Sequence, residues 1–299
     1  MKFAAVSHRR VDIYGVDIFY REAGPEDAPV VLLPHGYPCS SYEFRNYMAA
    51  LGDRWRLLAP DFPGCGYSAT PDDFDYTFDG YAQFLDRFVD RLGVKRLVIY
   101  LHDFGSQIGL RLAIRKPDVI AGCIIQNGDI YEDTLGPKYA ALKAYWADPS
   151  RRRYRDILDS INRDEFRNEF LNDIGNSECA ALVPPDLWDL HWTQTTDQRK
   201  EIYASIIAGL KDNLAWFPRY QAYLRASQPP TLITWGPNDG YMPEESARAY
   251  LRDLPNAEFH LLDGGHWLLE THLNEVVDLT RDFLGRVLGS PSTIRTYPV

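Results

Sequence analysis

The chain has 299 residues, and 45% hydrophobic and 13% aromatic side chains suffice to bury a sizeable core, which excludes a disordered protein. A net charge of −10 and a pI near 5.2 argue against nucleic acids and anionic membrane surfaces as partners. Residues 1–15 lack the apolar segment and cleavage site of a secretory signal, and no apolar run is long enough to span a membrane. We therefore expect a soluble, cytoplasmic protein.

The first part of the chain alternates strand-like and helix-like segments. VDIYGVDIFY (11–20) predicts a hairpin that turns at Tyr14-Gly15. Short apolar runs at 30–36, 56–64, 96–103 and 119–129 end in Gly, Pro or Asp, which is typical of strands buried on both faces. Apolar spacings of three and four predict one helix from Phe78 to Leu92, and a second helix should run from Ser106 to just before Pro117. The alternation predicts a mostly parallel sheet flanked by helices.

The pattern changes between Tyr131 and Tyr223, where no buried strand is predicted. Charged helical segments such as RRRYRDILDSINRDEFRNEFL (151–171) occupy this region. Strands return at 230–239 and 257–266, with a helix over 244–253 between them and an amphipathic helix over 273–288 after them. We therefore predict a core domain of residues 1–130 and 223–299, interrupted by a helical cap of residues 131–222. The tail, residues 290–299, is expected to be irregular.

The cysteines and the known ligand motifs give no sign of a metal or an organic cofactor. Cys39, Cys65, Cys123 and Cys179 are scattered and form no Cys-x-x-Cys pair, so neither a disulfide framework nor a metal site is predicted. No His-Glu-x-x-His motif and no phosphate-binding glycine loop occurs in the sequence.

Polar side chains follow the predicted strands at their carboxyl ends, the edge at which open parallel sheets bind ligands. These residues are His35, Asp61, Asp103, Asp129, Asp239 and His266. In YLHDFGSQIG (100–109), Gly105 and Gly109 allow a tight strand-to-helix corner that exposes Asp103. A carboxylate at such a corner can attack carbon, opening a strained ring or displacing a halide, and it then carries the product as an ester.

Hydrolysis of that ester requires a base and hydrogen-bond donors for the oxyanion. An imidazole such as His266 can take a proton from water near neutral pH, and Asp239 is placed to orient it. The backbone N–H groups of Phe104 and Tyr37 are the candidates for the oxyanion hole. Asp103, Asp239 and His266 form the predicted catalytic triad, although each alone also fits a helix-capping or core role. His102 is expected to be structural.

Five stretches resemble the α/β-hydrolase superfamily, in the branch that contains epoxide hydrolases and haloalkane dehalogenases. They are HGYP (35–38), DFPGCGYS (61–68), HDFGSQIG (102–109), WGPND (235–239) and DGGHW (263–267), in the expected order. The resemblance implies the α/β-hydrolase fold with an inserted helical cap over the site. It implies Asp103 as nucleophile, Asp239 as acid and His266 as base. Asp129 stands where some dehalogenases keep their acid and is the second candidate for that role.

Departures from the family motifs bear on the substrate. Haloalkane dehalogenases usually hold the halide with a tryptophan after the nucleophile and an asparagine or a second tryptophan, whereas Phe104 and Tyr37 occupy those places here. Fluoroacetate dehalogenases carry an arginine that Phe104 cannot replace. Epoxide hydrolases keep an HGxP motif, as this chain does, but the tyrosine usual in their late cap corresponds to Leu210 in GLKDN (209–213).

Several aromatic residues are alternative proton donors or packing residues. The candidate donors are Tyr37, Tyr131, Tyr139, Tyr145, Tyr154 and Tyr203, and Lys211 either reaches the pocket or is a surface lysine. Trp146, Trp188, Trp192 and Trp216 indicate an apolar cavity under the cap or simply the cap's own core. The predicted substrate contacts are His35, Tyr37, Phe104, Tyr131, Trp146, Tyr203, Leu210 and Trp267.

The leading hypothesis is a hydrolase of the ether- or ester-bond class that converts an epoxide into a diol through an alkyl-enzyme ester. Dehalogenation by the same nucleophile is the first alternative. A lyase, isomerase or cyclase with Asp103 as a base is another, and a binding module without catalysis is the last. The expected partners are a small apolar or amphipathic electrophile and water, with a monomer or homodimer as the assembly.

Overall fold

A computed structural model describes residues 3–174 and 177–289, so the predicted irregular tail, residues 290–299, lies outside the described residues. The core is one eight-stranded sheet in the order β1-β2-β4-β3-β5-β6-β7-β8. Its strands are β1 Val6–Ile13, β2 Val16–Ala23, β3 Val30–Leu32, β4 Arg56–Pro60, β5 Leu97–His102, β6 Ile120–Gln126, β7 Thr231–Trp235 and β8 Glu258–Leu261. Strand β2 pairs antiparallel with β1 and β4, and the other neighbours pair in parallel. The predicted mostly parallel sheet is confirmed.

The hairpin at the sheet edge turns where the sequence predicts. Ile13 pairs with Val16, so Tyr14 and Gly15 form the turn, with φ of 54° and 87°. Positive φ at both turn residues matches the twist of the flanking strands, which explains why a glycine stands at the second place.

The central strands are apolar throughout because helices cover both faces of the sheet. Every residue of β5 is buried, and the strand alternates between two clusters: Ile99 and Leu101 face one, Val98 and Tyr100 the other. The core helices are α1 Arg45–Leu51, α2 Phe78–Arg91, α3 Asp103–Arg115, α12 Glu244–Ala249, α13 Leu268–Thr271 and α14 Leu273–Val287. Side chains of α2 and α3 lie in the first cluster and those of α1 and α14 in the second.

The predicted helix over 244–253 is shorter in the structure, since α12 ends at Ala249 and a 3₁₀ turn follows over Tyr250–Arg252. Helix α3 begins at Asp103, three residues before the predicted Ser106, because the chain passes from β5 into the helix without an intervening loop.

Helices fill the chain between β6 and β7, and within the described residues no strand occurs there. They are α4 Ala140–Ala147, α5 Arg151–Ser160, α6 Arg163–Leu171, α7 Ser177–Leu182, α8 Asp186–Gln194, α9 Asp197–Ala208, α10 Leu210–Leu214 and α11 Phe217–Ser227. The charged stretch 151–171 forms two helices, since Asn162 caps α6 by accepting the Glu165 N–H. Helix α11 packs on α3 and crosses the predicted cap boundary at residues 222 and 223.

Among the described residues, no helix is both long and apolar enough to cross a bilayer.

Candidate active site

Asp103 lies at a sharp corner between β5 and α3. Its φ of 47° falls in the left-handed region, which a residue with a Cβ adopts only when its surroundings hold it there. Two hydrogen bonds do so: the Asp103 N–H donates to the Asn127 carbonyl at 3.1 Å, and the Ser106 hydroxyl donates to the Asp103 carbonyl at 2.7 Å. A Cβ on Gly36 would lie 2.4 Å from the Asp103 Cβ, so only glycine leaves room for this corner.

The two carboxylate oxygens of Asp103 have different neighbours. The Tyr37 N–H donates to Oδ1 at 2.6 Å, and His266 Nε2 lies 3.6 Å from Oδ2. Phe104, the second residue of α3, contributes one of the N–H groups that the first turn of a helix leaves unpaired. The corner thus brings a carboxylate, an imidazole and the two predicted oxyanion donors to one place.

His266 is held by Asp239. Its Nδ1 lies 2.7 Å from Asp239 Oδ2, and the buried Asp239 carboxylate accepts three further hydrogen bonds. These come from the backbone N–H groups of Tyr241 and Met242, at 2.8 and 3.1 Å, and from the Asn127 side-chain amide at 3.0 Å. The carboxylate is therefore fixed as a hydrogen-bond acceptor for the imidazole.

Asp129, the second candidate for the acid, has other partners. Its oxygens accept the Tyr139 hydroxyl at 2.7 Å and the Gln107 amide at 2.8 Å. Burial raises the pKa of Asp129 to about 7, and Tyr139 opposes that rise. In this structure the carboxylate that contacts His266 is that of Asp239.

Charge and burial act in opposite directions on the His266–Asp239 pair. Burial lowers the pKa of His266, but Asp239 and then Asp103 outweigh it and raise the pKa to about 9. Burial would raise the pKa of Asp239, but His266 and the two backbone N–H groups bring it below its usual value. The imidazole therefore lies between two carboxyl groups, and both of them raise its pKa.

The backbone of His266 is also anchored. Its carbonyl accepts the Gln126 amide at 3.1 Å and lies 3.1 Å from His102 Nε2. The other nitrogen of His102 lies 2.6 Å from the buried Glu43 carboxylate. This matches the predicted structural role of His102, whereas Glu43, Gln126 and Asn127 were missed because only the fold brings them to this site.

A cavity of about 640 Å³ lies above the corner, between it and the helices that follow β6. Four of the predicted substrate contacts line it: Tyr37, Phe104, Leu210 and Trp267. Its wall also carries Tyr139, Tyr145, Tyr241, Lys138, Arg153, Asp156, Glu165, Glu169 and Asp173. Glu169 and Tyr241 were not predicted from the sequence. The available signal for Glu169 was its spacing of four residues from Glu165, which puts both carboxyl groups on one face of a helix.

The other predicted contacts, His35, Tyr131, Trp146 and Tyr203, do not line this cavity. His35 is buried, with Nδ1 2.9 Å from the Gly36 carbonyl and Nε2 accepting the Phe62 N–H at 3.1 Å, so it holds the backbone of its own loop. The Tyr131 hydroxyl donates to the buried Asp253 carboxylate at 2.6 Å.

Trp146 and Tyr203 also lie outside the large cavity. Trp146 is buried against the Tyr139 ring, 6.2 Å between centroids, and its carbonyl accepts Lys211 Nζ at 2.8 Å. Tyr203 packs edge-on against Tyr37 at 5.3 Å and lines a separate cavity of about 30 Å³. Lys211 is exposed and lies outside the large cavity, so of its two predicted roles the structure favours that of a surface lysine.

The remaining aromatic candidates have packing partners instead. Tyr154 lies at the protein surface, with its hydroxyl 3.4 Å from Glu201. Trp192 packs edge-on against Phe166. Trp216 stacks under the buried guanidinium of Arg111, 4.3 Å from the ring centroid. Neither these tryptophans nor Trp188 lines the large cavity.

Within the described residues, no group of three or more histidine, cysteine, aspartate or glutamate side chains is arranged to hold a metal ion.

Comparison with known proteins agrees with this architecture. An uncharacterized hydrolase of Saccharomyces cerevisiae is 32% identical over 275 residues, 88% of this chain and 92% of the relative. A cis-3-alkyl-4-alkyloxetan-2-one decarboxylase of Xanthomonas campestris is 26% identical over 298 residues, 93% of this chain and 96% of the relative.

Two solved structures show the same fold. A haloalkane dehalogenase from Bradyrhizobium elkani superimposes with a TM-score of 0.80 at 24% identity, covering 95% of this chain and 99% of the other. An epoxide hydrolase superimposes with a TM-score of 0.76 at 21% identity, covering 94% and 99%. Residues 29–273 match the family described as alpha/beta hydrolase fold. The chain is therefore a hydrolase that belongs to the α/β-hydrolase superfamily.

Proposed function

We propose that this hydrolase opens a small epoxide with the Asp103 carboxylate and releases a diol when the resulting ester is hydrolysed. The observation that carries the proposal is the corner itself. A carboxylate stands in the cavity wall with one oxygen bound to the Tyr37 N–H and the other 3.6 Å from His266 Nε2. A carboxylate in contact with a base and a cavity is suited to attack at carbon.

In the first step an oxygen of Asp103 forms a bond to an epoxide carbon while that carbon's bond to the ring oxygen breaks. The ring oxygen takes up a proton from a donor in the cavity wall, which regains it in the second step, and becomes a hydroxyl group. The product is an alkyl ester between Asp103 and the opened substrate, formed inside the cavity and away from bulk water.

In the second step His266 takes a proton from water, and the hydroxide attacks the carbonyl carbon of the Asp103 ester. The N–H groups of Tyr37 and Phe104 stabilise the oxyanion. Its collapse releases the diol and the Asp103 carboxylate, and the proton held by His266 returns to the donor of the first step. The ester has also neutralised Asp103, which together with Asp239 and Glu169 raises the pKa of His266 to about 9. The pKa of the imidazole therefore falls once the ester has formed, which makes it a base at the step that needs one.

Dehalogenation by the same nucleophile is less favoured because the usual indole clamp for a halide is missing. Phe104 and Tyr37 stand beside the nucleophile. Of the tryptophans in the described chain, Trp267 alone lines the cavity, and its indole N–H donates to the Glu169 carbonyl at 2.7 Å. The phenylalanine ring at residue 104 has no N–H to offer a halide.

The decarboxylase relative supports a second candidate, the opening of a strained four-membered lactone. Attack of Asp103 at a ring carbon would then expel a carboxylate. A carboxylate leaves without taking up a proton, so this reaction requires no acid in the cavity, whereas the epoxide reaction does.

The intact mass of the His266→Ala protein tests the proposal. After incubation with a panel of epoxides, haloalkanes and four-membered lactones, we expect a stable gain equal to the whole mass of an epoxide, located on the peptide that contains Asp103. Because the ester cannot be hydrolysed without the base, the adduct accumulates. The Asp103→Ala, His266→Ala double variant is the control and should show no gain. Binding of a ligand without any adduct would contradict a nucleophilic Asp103 and favour a base or a binding role.

A further inference from the structure

Opening an epoxide creates an alkoxide, and this cavity has no tyrosine at the place where the family motif suggests one. Leu210 lines the wall there and has no proton to give. The Tyr139 hydroxyl also lines the cavity, but it is committed to Asp129 at 2.7 Å. A general acid usually contributes about 10²–10⁴-fold to such a step, so the reaction requires a different donor in the wall.

Glu169, on α6, faces this cavity from the helical layer above the corner. The Tyr241 hydroxyl donates to its Oε1 at 3.3 Å, and Tyr241 also lines the cavity. The Trp267 indole N–H donates to the Glu169 carbonyl at 2.7 Å. Trp267 directly follows His266, so this bond links the backbone of Glu169 to the side chain of the residue next to the base.

Burial makes the Glu169 carboxyl group hold its proton more strongly than a solvent-exposed glutamate does. Burial raises the pKa of Glu169, with a smaller rise from Asp103, while Lys138, His266 and the hydrogen bond from Tyr241 act in the opposite direction. Lys138 is itself bound to Asp173, 2.6 Å away, so it is not a direct partner of Glu169. The charged and titratable groups that face Glu169 are Lys138, His266, Asp103, Tyr241 and Tyr37.

We propose that the Glu169 carboxyl, paired with the Tyr241 hydroxyl, donates the proton to the oxygen that leaves carbon when Asp103 attacks. The inference rests on the proposed function and narrows its substrate to compounds with an oxygen leaving group that needs a proton, epoxides in particular. In the first step the Glu169 O–H proton passes to the ring oxygen, directly or through the Tyr241 hydroxyl, and Glu169 becomes a carboxylate. In the second step His266 receives a proton from water, and that proton returns to Glu169, so the cycle closes on epoxide plus water giving diol.

The rate of Asp103 ester formation tests this assignment. Rapid quenching and mass spectrometry of the His266→Ala protein with styrene oxide give the rate across a range of pH, with Glu169→Gln and Tyr241→Phe added singly. We expect the Glu169→Gln change to slow ester formation by about 10²-fold or more. In the His266→Ala parent, the rate of ester formation should fall with rising pH as Glu169 loses its proton. Glu169→Gln should abolish this pH dependence. Tyr241→Phe should slow the step less, since Glu169 remains.

The control variant is Asp164→Asn, which removes an exposed carboxylate of the same helix outside the cavity and should leave the rate unchanged. A matched alkyl bromide, whose leaving group needs no proton, should react with Asp103 equally fast in the Glu169→Gln variant and its parent. Equal slowing of epoxide and bromide would overturn the assignment, because it would make Glu169 a packing residue. An epoxide rate unchanged by Glu169→Gln would overturn it too.

Two further readouts separate the possible failures. In the protein that retains His266, Glu169→Gln should also lower kcat/KM for the epoxide. If Glu169→Gln slows the reaction only in the His266→Ala background, His266 is the acid and the assignment is wrong. An absence of any Asp103 adduct in every variant, with the thermal unfolding temperature unchanged, would instead contradict the proposed function itself.

Discussion

At His266, two opposing effects act on one imidazole. Burial favours the neutral ring, whereas Asp239 at 2.7 Å and Asp103 at 3.6 Å favour the charged ring, and the carboxylates outweigh the burial. A buried carboxylate with several hydrogen-bond donors keeps its charge, as Asp239 does, while the buried Asp129 has a raised pKa. Two aspartates at neighbouring strand ends thus have different ionisation behaviour because their partners differ.

Replacing Asp239 with asparagine should lower the pKa of His266 below about 9, since the first charge that raises it is removed. The charged pair also contributes stability that is fully present below the usual histidine value of 6.5 and is lost as the pH rises through about 9. In the Asp239→Asn variant, this fall in the free energy of unfolding with rising pH should disappear. Nuclear magnetic resonance titration of the imidazole measures the first effect, and urea unfolding at several pH values measures the second.

Asp129→Asn is the matched control for this experiment, because the same isosteric change is made at a strand end that does not contact His266. Its His266 pKa should stay close to that of the parent. A larger fall in the Asp129 variant than in the Asp239 variant would show that Asp129, the second candidate, is the acid.

At the scale of elements, a buried polar cluster joins α10 to α3. The Asn213 side-chain oxygen accepts the Arg111 guanidinium at 2.8 Å and the Tyr220 hydroxyl at 3.2 Å, and its amide donates to Gln107. Gln107 in turn donates to Asp129. A helix above the cavity is thereby bound to the helix that starts at the nucleophile, through groups that have little access to water.

Asn213→Ala should lower the free energy of unfolding by about 1–3 kcal/mol, because it leaves a buried Arg111 donor without its acceptor and the buried Gln107 side-chain oxygen without its donor. Urea denaturation measures the change. Asp212→Ala, at the exposed neighbouring position, is the control and should change stability by less than about 0.5 kcal/mol. Equal effects of the two substitutions would show that the cluster contributes nothing specific.

At the scale of the whole molecule, the cavity wall is acidic. Its acidic side chains are Asp103, Asp156, Glu165, Asp173, Asp239 and Glu169, the last being the group proposed to carry a proton, against the basic side chains of Lys138, Arg153 and His266. Lys138 is paired with Asp173, and Arg153 lies 3.5 Å from Asp148. An anionic substrate would therefore meet a surplus of negative charge in a site of low dielectric constant.

We expect kcat/KM for a carboxylate-bearing epoxide to be at least about tenfold below that of its neutral methyl ester, equivalent to about 1.4 kcal/mol. Steady-state kinetics with the two compounds measure the ratio, and added salt should narrow it by screening the wall. Equal kcat/KM values, or a preference for the acid, would contradict this electrostatic account.

Much of the fold was predictable from the sequence because its signals are local. The Tyr14-Gly15 turn, the apolar β5 and the helical stripe of α2 each arise from short-range periodicity or backbone preference. The break at Asn162 was missed, since a single capping residue interrupts an otherwise continuous helical pattern. The start of α3 was placed late, because a residue with φ of 47° is held by contacts rather than by its own preference.

The sequence by itself determined which polar side chains follow strands, and parallel strands bring their carboxyl ends to one edge. That was sufficient to group Asp103, Asp239 and His266 as a predicted triad. Only the tertiary structure decided which aspartate contacts His266, because the choice depends on hydrogen bonds from Asn127 and the backbone of residues 241 and 242. The tertiary structure also decided which side chains face the cavity: Glu169 does and His35 does not, since orientation depends on packing between elements far apart in the chain.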